Sequence, residues 1–166
     1  MKKIAQGGLL VAVALVLSLI EKMFPLQAVV PIPGIKLGLA NVVTLFALTA
    51  LGTRRAVVIV LCRVTLAAIF LGSITGFLFS LFGGLLALFV MRVLLLREGT
   101  WFSLVGVSIG GAAAHNIGQI FAAMLTLGTV DVVGYLPLLL LSAIPMGFVT
   151  GLTASAVLGH LKKIRF

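Results

Sequence analysis

The chain is a series of long apolar runs separated by short polar, glycine or proline stretches. A helix needs about 20 apolar residues to cross ~30 Å of hydrocarbon. By that measure the pattern predicts six helical spans, at about 4–24, 37–51, 56–71, 76–96, 101–127 and 135–161. Their ends carry recognisable stops: Glu21-Lys22 and Pro25, then Gly52 with Arg54-Arg55, then Gly72-Ser73. The fourth run closes at Arg97-Glu98-Gly99, the fifth at the polar stretch 128–134, and the sixth at Lys162-Lys163. Leu66 to Phe82 is apolar almost throughout, so the third and fourth runs are the pair whose division the pattern marks least. Pro137 and Pro145 remove backbone donors from the sixth run and predict a kink there.

Within the runs, small residues recur at helical spacing. Gly106, Gly110, Ala114, Gly118 and Ala122 fall every fourth residue in the fifth, and Gly76, Ser80 and Gly84 do so in the fourth. Such rows let neighbouring backbones approach where lipid supplies no hydrophobic drive for association. The first run carries a looser set, Gly8, Ala12, Ala14 and Ser18.

Composition agrees with a lipid-embedded chain. Hydrophobic residues make up 62% of the 166 and charged ones 9%, too little polar surface for a soluble domain of this size. The formal charge of +9 lies mostly at run ends, which points to membrane topology and not to nucleic acid. With the N-terminus inside, Lys2, Lys3, Arg54, Arg55, Arg92, Arg97, Lys162, Lys163 and Arg165 are inner, and only Lys22 and Lys36 are outer. That bias predicts two cytoplasmic termini. Lys2-Lys3 before an apolar run resembles a signal peptide, but no small-x-small cleavage site follows, so the first span is expected to stay. The single Cys62 excludes a disulfide framework. The expected fold is an all-α integral membrane protein, six transmembrane helices in one compact bundle spanning 1–166.

Against this background a few polar residues stand out. Arg63 falls mid-span in the third run, where an arginine costs ~2.5–3.5 kcal/mol on insertion scales. It is either held by backbone carbonyls or turned toward a cavity that takes an anionic or carbonyl-bearing ligand. No acid in an apparent span pairs with it, because Glu21, Glu98 and Asp131 fall at ends or in loops. His115 and Gln119 are four apart and share a helix face, while Asn116 points about 100° away. They either bond a neighbouring helix or contact a ligand; one histidine without a partner carboxylate or thiolate is not a metal site. The stretch PIPGIKLGLAN at 31–41 makes a stiff approach to the second run, with Lys36 and Asn41 near its outer mouth. These two serve as interface anchor and interhelical bond, or converge with Arg63, His115 and Gln119 on an outer-half cavity.

Several mechanisms lack their residues. Ion-coupled transporters usually carry membrane carboxylates, and no span here shows one. No GxxxxGK[ST] loop and no nucleophile–base–acid set occurs. The chain looks like a binding subunit that relies on a separate motor.

PIPGIKLGLANVVTLFAL, Arg63, SLFGGLLALFVMR and GVSIGGAAAHNIGQ together resemble the bacterial Gx transporter family, whose domain label is heptaprenyl diphosphate synthase component I. Size, span count and inside termini are also similar to the substrate-binding S components of energy-coupling factor (ECF) transporters. That resemblance implies a small vitamin- or cofactor-like ligand, a transmembrane coupling subunit and two cytoplasmic ATPases, in the bacterial inner membrane. It implies docking through Gly8, Ala12, Ala14 and Ser18, although the AxxxA spacing of several S components is absent. Prenyl chain elongation needs aspartate-rich motifs to hold magnesium, and this chain has one aspartate, Asp131, so it is not expected to be the catalytic synthase. The expectation is an S-component-like binding subunit without a cofactor, with Lys36, Asn41, Arg63, His115, Asn116 and Gln119 lining the site. The alternative is a non-catalytic membrane subunit of polyprenyl diphosphate or quinone metabolism, or of extracellular electron transfer. A scaffold whose polar groups only pack helices is the third option.

Overall fold

The structure is a computed structural model that describes residues 2–23, 36–71 and 73–164. These form six helices: α1 (Lys2–Lys22), α2 (Asn41–Ala50), α3 (Thr53–Leu71), α4 (Ile74–Leu95), α5 (Leu104–Leu127) and α6 (Leu136–Ile164). A 3-10 turn, Asp131–Tyr135, leads into α6. The described residues hold no strand, only one isolated bridge between Glu98 and Phe102. The proline-rich stretch at 31–35 lies outside the described residues.

Serines set the starts of the two central helices. Ser73 Oγ accepts from the Gly76 N–H at 3.0 Å, which separates α4 from α3 within the long apolar stretch. Ser103 Oγ does the same for Gly106 at 3.1 Å and opens α5. Each cap satisfies a donor the helix leaves unpaired. Pro137 lies in the first turn of α6, where its missing N–H is no loss, and α6 runs on through Pro145.

Packing is most extensive between α4 and α5 and between α5 and α6. The small residues explain why. A Cβ on Gly118 would come within 2.6 Å of the Phe82 carbonyl oxygen, so α5 lies directly on the α4 backbone. A Cβ on Gly151 would come within 2.8 Å of Val105 Cα, which seats α6 on α5 in the same way. The row Gly76, Ser80 and Gly84 faces elsewhere: it meets Lys36 Nζ and the Arg63 guanidinium. It is Gly83 that turns to α5, against His115. Gly106 lies near its own cap residue Ser103 and takes no part in close helix contact.

Among the described residues two helices, Ile74–Leu95 and the stretch Asp131–His160, are long and apolar enough to cross a membrane. Large apolar side chains such as Leu9, Phe70, Phe89, Leu125 and Leu141 are exposed around the bundle, which fits a membrane protein. The second run departs most from its predicted bounds. α2 has 10 residues, about 15 Å at 1.5 Å per residue, half of the hydrocarbon thickness. The reason is Gly38, whose φ of +84° turns the chain before Asn41 and leaves 36–40 non-helical. Short as it is, α2 touches all five other helices, whereas α1, among the described residues, packs on α2 and α3.

Candidate functional site

The turn that precedes α2 is fastened from three sides. Gln119 of α5 aligns its amide with the Lys36 peptide: Lys36 N–H donates to Oε1 and Nε2 donates to the Lys36 carbonyl, both at 2.8 Å. Glu21 of α1 accepts from the backbone N–H groups of Gly38 and Leu39. Lys36 Nζ donates to Ser80 Oγ on α4 at 2.6 Å, and Ser80 in turn donates to the Gly76 carbonyl at 2.8 Å. Gly38 is required at the centre of this turn. Besides its positive φ, a Cβ there would meet Asn41 Nδ2 at 2.8 Å and His115 Cδ2 at 3.2 Å.

Directly inside the turn are three buried polar side chains whose hydrogen-bonding capacity the protein leaves unmet. Asn41, at the start of α2, has neither Oδ1 nor Nδ2 bonded. His115 makes no hydrogen bond of good geometry at Nδ1 or Nε2, and the Gly83 backbone lies beside its ring. Arg63 bonds Ser18 Oγ through Nη1 at 3.3 Å, and its Nε and Nη2 have no partner. All three residues are at most 5% exposed. An unsatisfied buried polar group costs about 1–3 kcal/mol, so six such atoms in one region mark a place where stability is given up.

Glycines bring these groups together. His115 lies against both Gly38 and Gly83, where a Cβ at Gly83 would approach Cε1 to 2.8 Å. The next residue, Gly84, leaves room for Arg63: a Cβ there would stand 3.2 Å from Nη2. Asn41, His115 and Arg63 therefore border one another through Gly38, Gly83 and Gly84. Glu21 attracts both Lys36 and Arg63 electrostatically.

The predicted site residues separate into groups. Asn41, Arg63 and His115 come together with free donors and acceptors. Lys36 and Gln119 are beside them, and the bonds between them close the turn. Asn116 is elsewhere: its Nδ2 donates to the Leu139 carbonyl at 2.5 Å and fastens α5 to α6. The docking set also divides. Gly8 and Ala12 lie on the outer face of α1, whereas Ala14 and Ser18 are buried at 1% and 3% exposure. Helical spacing turns Ala14 and Ser18 inward with Glu21, away from the exposed face that carries Gly8 and Ala12.

Glu21 corrects a further expectation. It is 4% exposed and part of the polar cluster, so Arg63 does have an acid nearby, and the membrane-apolar chain does bury a carboxylate. The signal was available in the spacing: Ala14, Ser18 and Glu21 stand at i, i+4 and i+7, one face of a helix. Among the described residues no group of three His, Cys, Asp or Glu is arranged to hold a metal ion.

A second feature lies on the outside of the α4–α5 pair. An open apolar groove of about 480 Å³ is lined by Phe82, Leu85, Phe89, Ile117, Gly118 and Phe121, among others. Phe82 and Phe121 meet edge to face with centroids 5.3 Å apart at one end of it.

No curated protein and no solved structure matches this chain. Residues 10–157 match the family described as heptaprenyl diphosphate synthase component I, and the chain belongs to that family.

Proposed function

We propose that this chain is a substrate-binding membrane subunit of the energy-coupling factor type, taking up a small vitamin- or cofactor-like molecule. In this reading it crosses the bacterial inner membrane six times with both termini in the cytoplasm. The second crossing is made by α2 together with the segment that leads into it. Interrupted helices of this kind line binding cavities in other transporters, where non-helical backbone is tolerated because protein surrounds it. The chain itself performs no catalysis. A separate coupling subunit and ATPases supply the energy, and Gly8 and Ala12 on the outward face of α1 are where the coupling subunit docks.

One observation carries this reading: Asn41, Arg63 and His115 keep six polar atoms buried and unpaired in one region. A packing-only role would be served better by paired or apolar side chains, since each orphan is destabilising. A ligand that supplies the missing partners gains affinity and specificity from the same groups. Native mass spectrometry of gently purified protein tests this. A small molecule should be retained by the wild type and lost in His115→Ala and Asn41→Ala variants that keep their helicity. Retention of the same molecule by both variants would sink the proposal.

The family description favours a second reading, a non-catalytic subunit of polyprenyl diphosphate metabolism; a role in quinone metabolism or extracellular electron transfer is its extension. Affinity purification separates the two. A coupling subunit and ATPases in the eluate support uptake, and a prenyl synthase or redox protein supports the second reading.

A further inference from the structure

We infer that the Arg63 guanidinium is an oxyanion fork, so that the ligand carries a carboxylate or a phosphate and presents two of its oxygens to Arg63. This rests on the binding role proposed above and specifies what is bound.

A guanidinium is planar and offers five N–H donors in a fixed array. Nε–H and one N–H of Nη2 are parallel along one edge, the spacing that matches two oxygens of a carboxylate or phosphate. Nη1 lies on the other side. In this protein Nη1 is the nitrogen already bonded, to Ser18 Oγ, and Nε and Nη2 are the two left without a partner. The free atoms are therefore the complete bidentate edge and not a scattered remainder.

Three features hold that edge in place. Ser18 is itself fixed, because its hydroxyl donates to the Ala14 carbonyl at 2.9 Å. Gly84 lets the guanidinium lie close against the α4 backbone, where an added Cβ would stand 3.2 Å from Nη2. Glu21 attracts the guanidinium but leaves Nε and Nη2 unbonded, so it offsets part of the buried charge without occupying the fork. The neighbouring free groups then read the rest of the molecule. Asn41 offers one acceptor and two donors, and His115 one of each in its neutral form, which suits a ligand with its own donor–acceptor edge.

The test is a titration of detergent-purified protein with sodium acetate, inorganic phosphate and inorganic diphosphate, each against sodium chloride at equal ionic strength. Thermal unfolding is the readout. At least one oxyanion should raise the melting temperature of the wild type by several degrees beyond chloride. Acetate activity points to a carboxylate ligand, and phosphate or diphosphate activity to a phosphorylated one. Arg63→Lys keeps the charge but cannot bond bidentately, and the response should fall at least tenfold in half-saturating concentration. Gly84→Ala is the second variant, since it leaves the arginine intact and sets a methyl group 3.2 Å from Nη2. The same methyl group stands 3.2 Å from Val60 Cγ1, so the variant's response is read relative to its own melting temperature in chloride, and that response should weaken. Equal stabilisation by chloride and by every oxyanion would overturn the fork, and so would an unchanged response in both variants. A neutral molecule retained in native mass spectra and lost in His115→Ala would overturn the fork alone, leaving the binding role in place.

Discussion

Replacing Gly118 with alanine should destabilise the protein, although alanine is the better helix former. The added methyl would lie 2.6 Å from the Phe82 carbonyl oxygen, 2.7 Å from its carbon and 2.8 Å from Gly83 Cα. All three are backbone atoms of α4, so no rotamer change relieves the overlap and the two helices must separate. Overpacking of this kind costs about 1–3 kcal/mol, and the upper end applies where backbone must move. The gain in helix propensity is about 1 kcal/mol, which leaves a net loss of about 1–2 kcal/mol. Two other glycines of α5 calibrate the argument. At Gly106 the nearest atom is Ser103 Oγ at 3.6 Å, ordinary contact, so Gly106→Ala should stabilise by up to about 1 kcal/mol. At Gly110 the clash is with Leu94 Cδ1 at 2.5 Å, the tip of a side chain that can turn away, so Gly110→Ala should fall between them. Thermal unfolding of the three variants in one detergent gives the ranking. Gly118→Ala should also lose ligand in native mass spectra, because separating α4 from α5 draws Gly83 away from His115. If Gly118→Ala unfolds at or above the wild-type temperature, the close α4–α5 approach is wrong.

Two further outcomes follow from the bonds around the site. Gln119→Leu removes both 2.8 Å bonds to the Lys36 peptide, which tie the turn to α5, so the turn should open. Hydrogen exchange of the amides at 36–40 should accelerate by at least tenfold, and unchanged protection would show that the clamp does not hold the turn. Asn116→Leu breaks the bond to the Leu139 carbonyl, but Ser142 Oγ still donates to that carbonyl at 2.7 Å. The loss should therefore stay near 0.5–1.5 kcal/mol with ligand retention intact; selective loss of ligand would make Asn116 a binding residue after all.

Much of the helical scaffold was legible because apolar length and punctuation are local signals. The boundary between α3 and α4 was readable from Gly72-Ser73, since a serine cap acts on the three residues that follow it. The start of α2 was not. Leu37, Leu39 and Ala40 look like helix in an apolar count, yet Gly38 takes a positive φ and the turn is held by side chains from α1 and α5. Those partners are 17 and 83 residues away, and no local pattern reports them. Spacing gave rows of small residues but not the neighbour each row would meet. Gly76, Ser80 and Gly84 thus proved to serve Lys36 and Arg63, not α5. Ala14 and Ser18 share a face with Glu21, and reading them with Gly8 and Ala12 mixed an inward row with an outward one.

The buried position of Glu21 changes what supports the functional reading. From the sequence, transport driven by an ion gradient was disfavoured because no span showed a carboxylate, and Arg63 was notable because nothing opposed its charge. Neither premise stands with Glu21 at 4% exposure among Gly38, Leu39 and Arg63. Glu21 accepts from two backbone amides of the turn, so its carboxylate already has a structural task. Both bonds fall on Oε1, so the carboxylate fastens the turn through one oxygen. The case for a ligand no longer depends on an isolated arginine. It depends on the edge of Arg63 that Ser18 and Glu21 both leave unbonded, beside an asparagine and a histidine without a well-formed hydrogen bond.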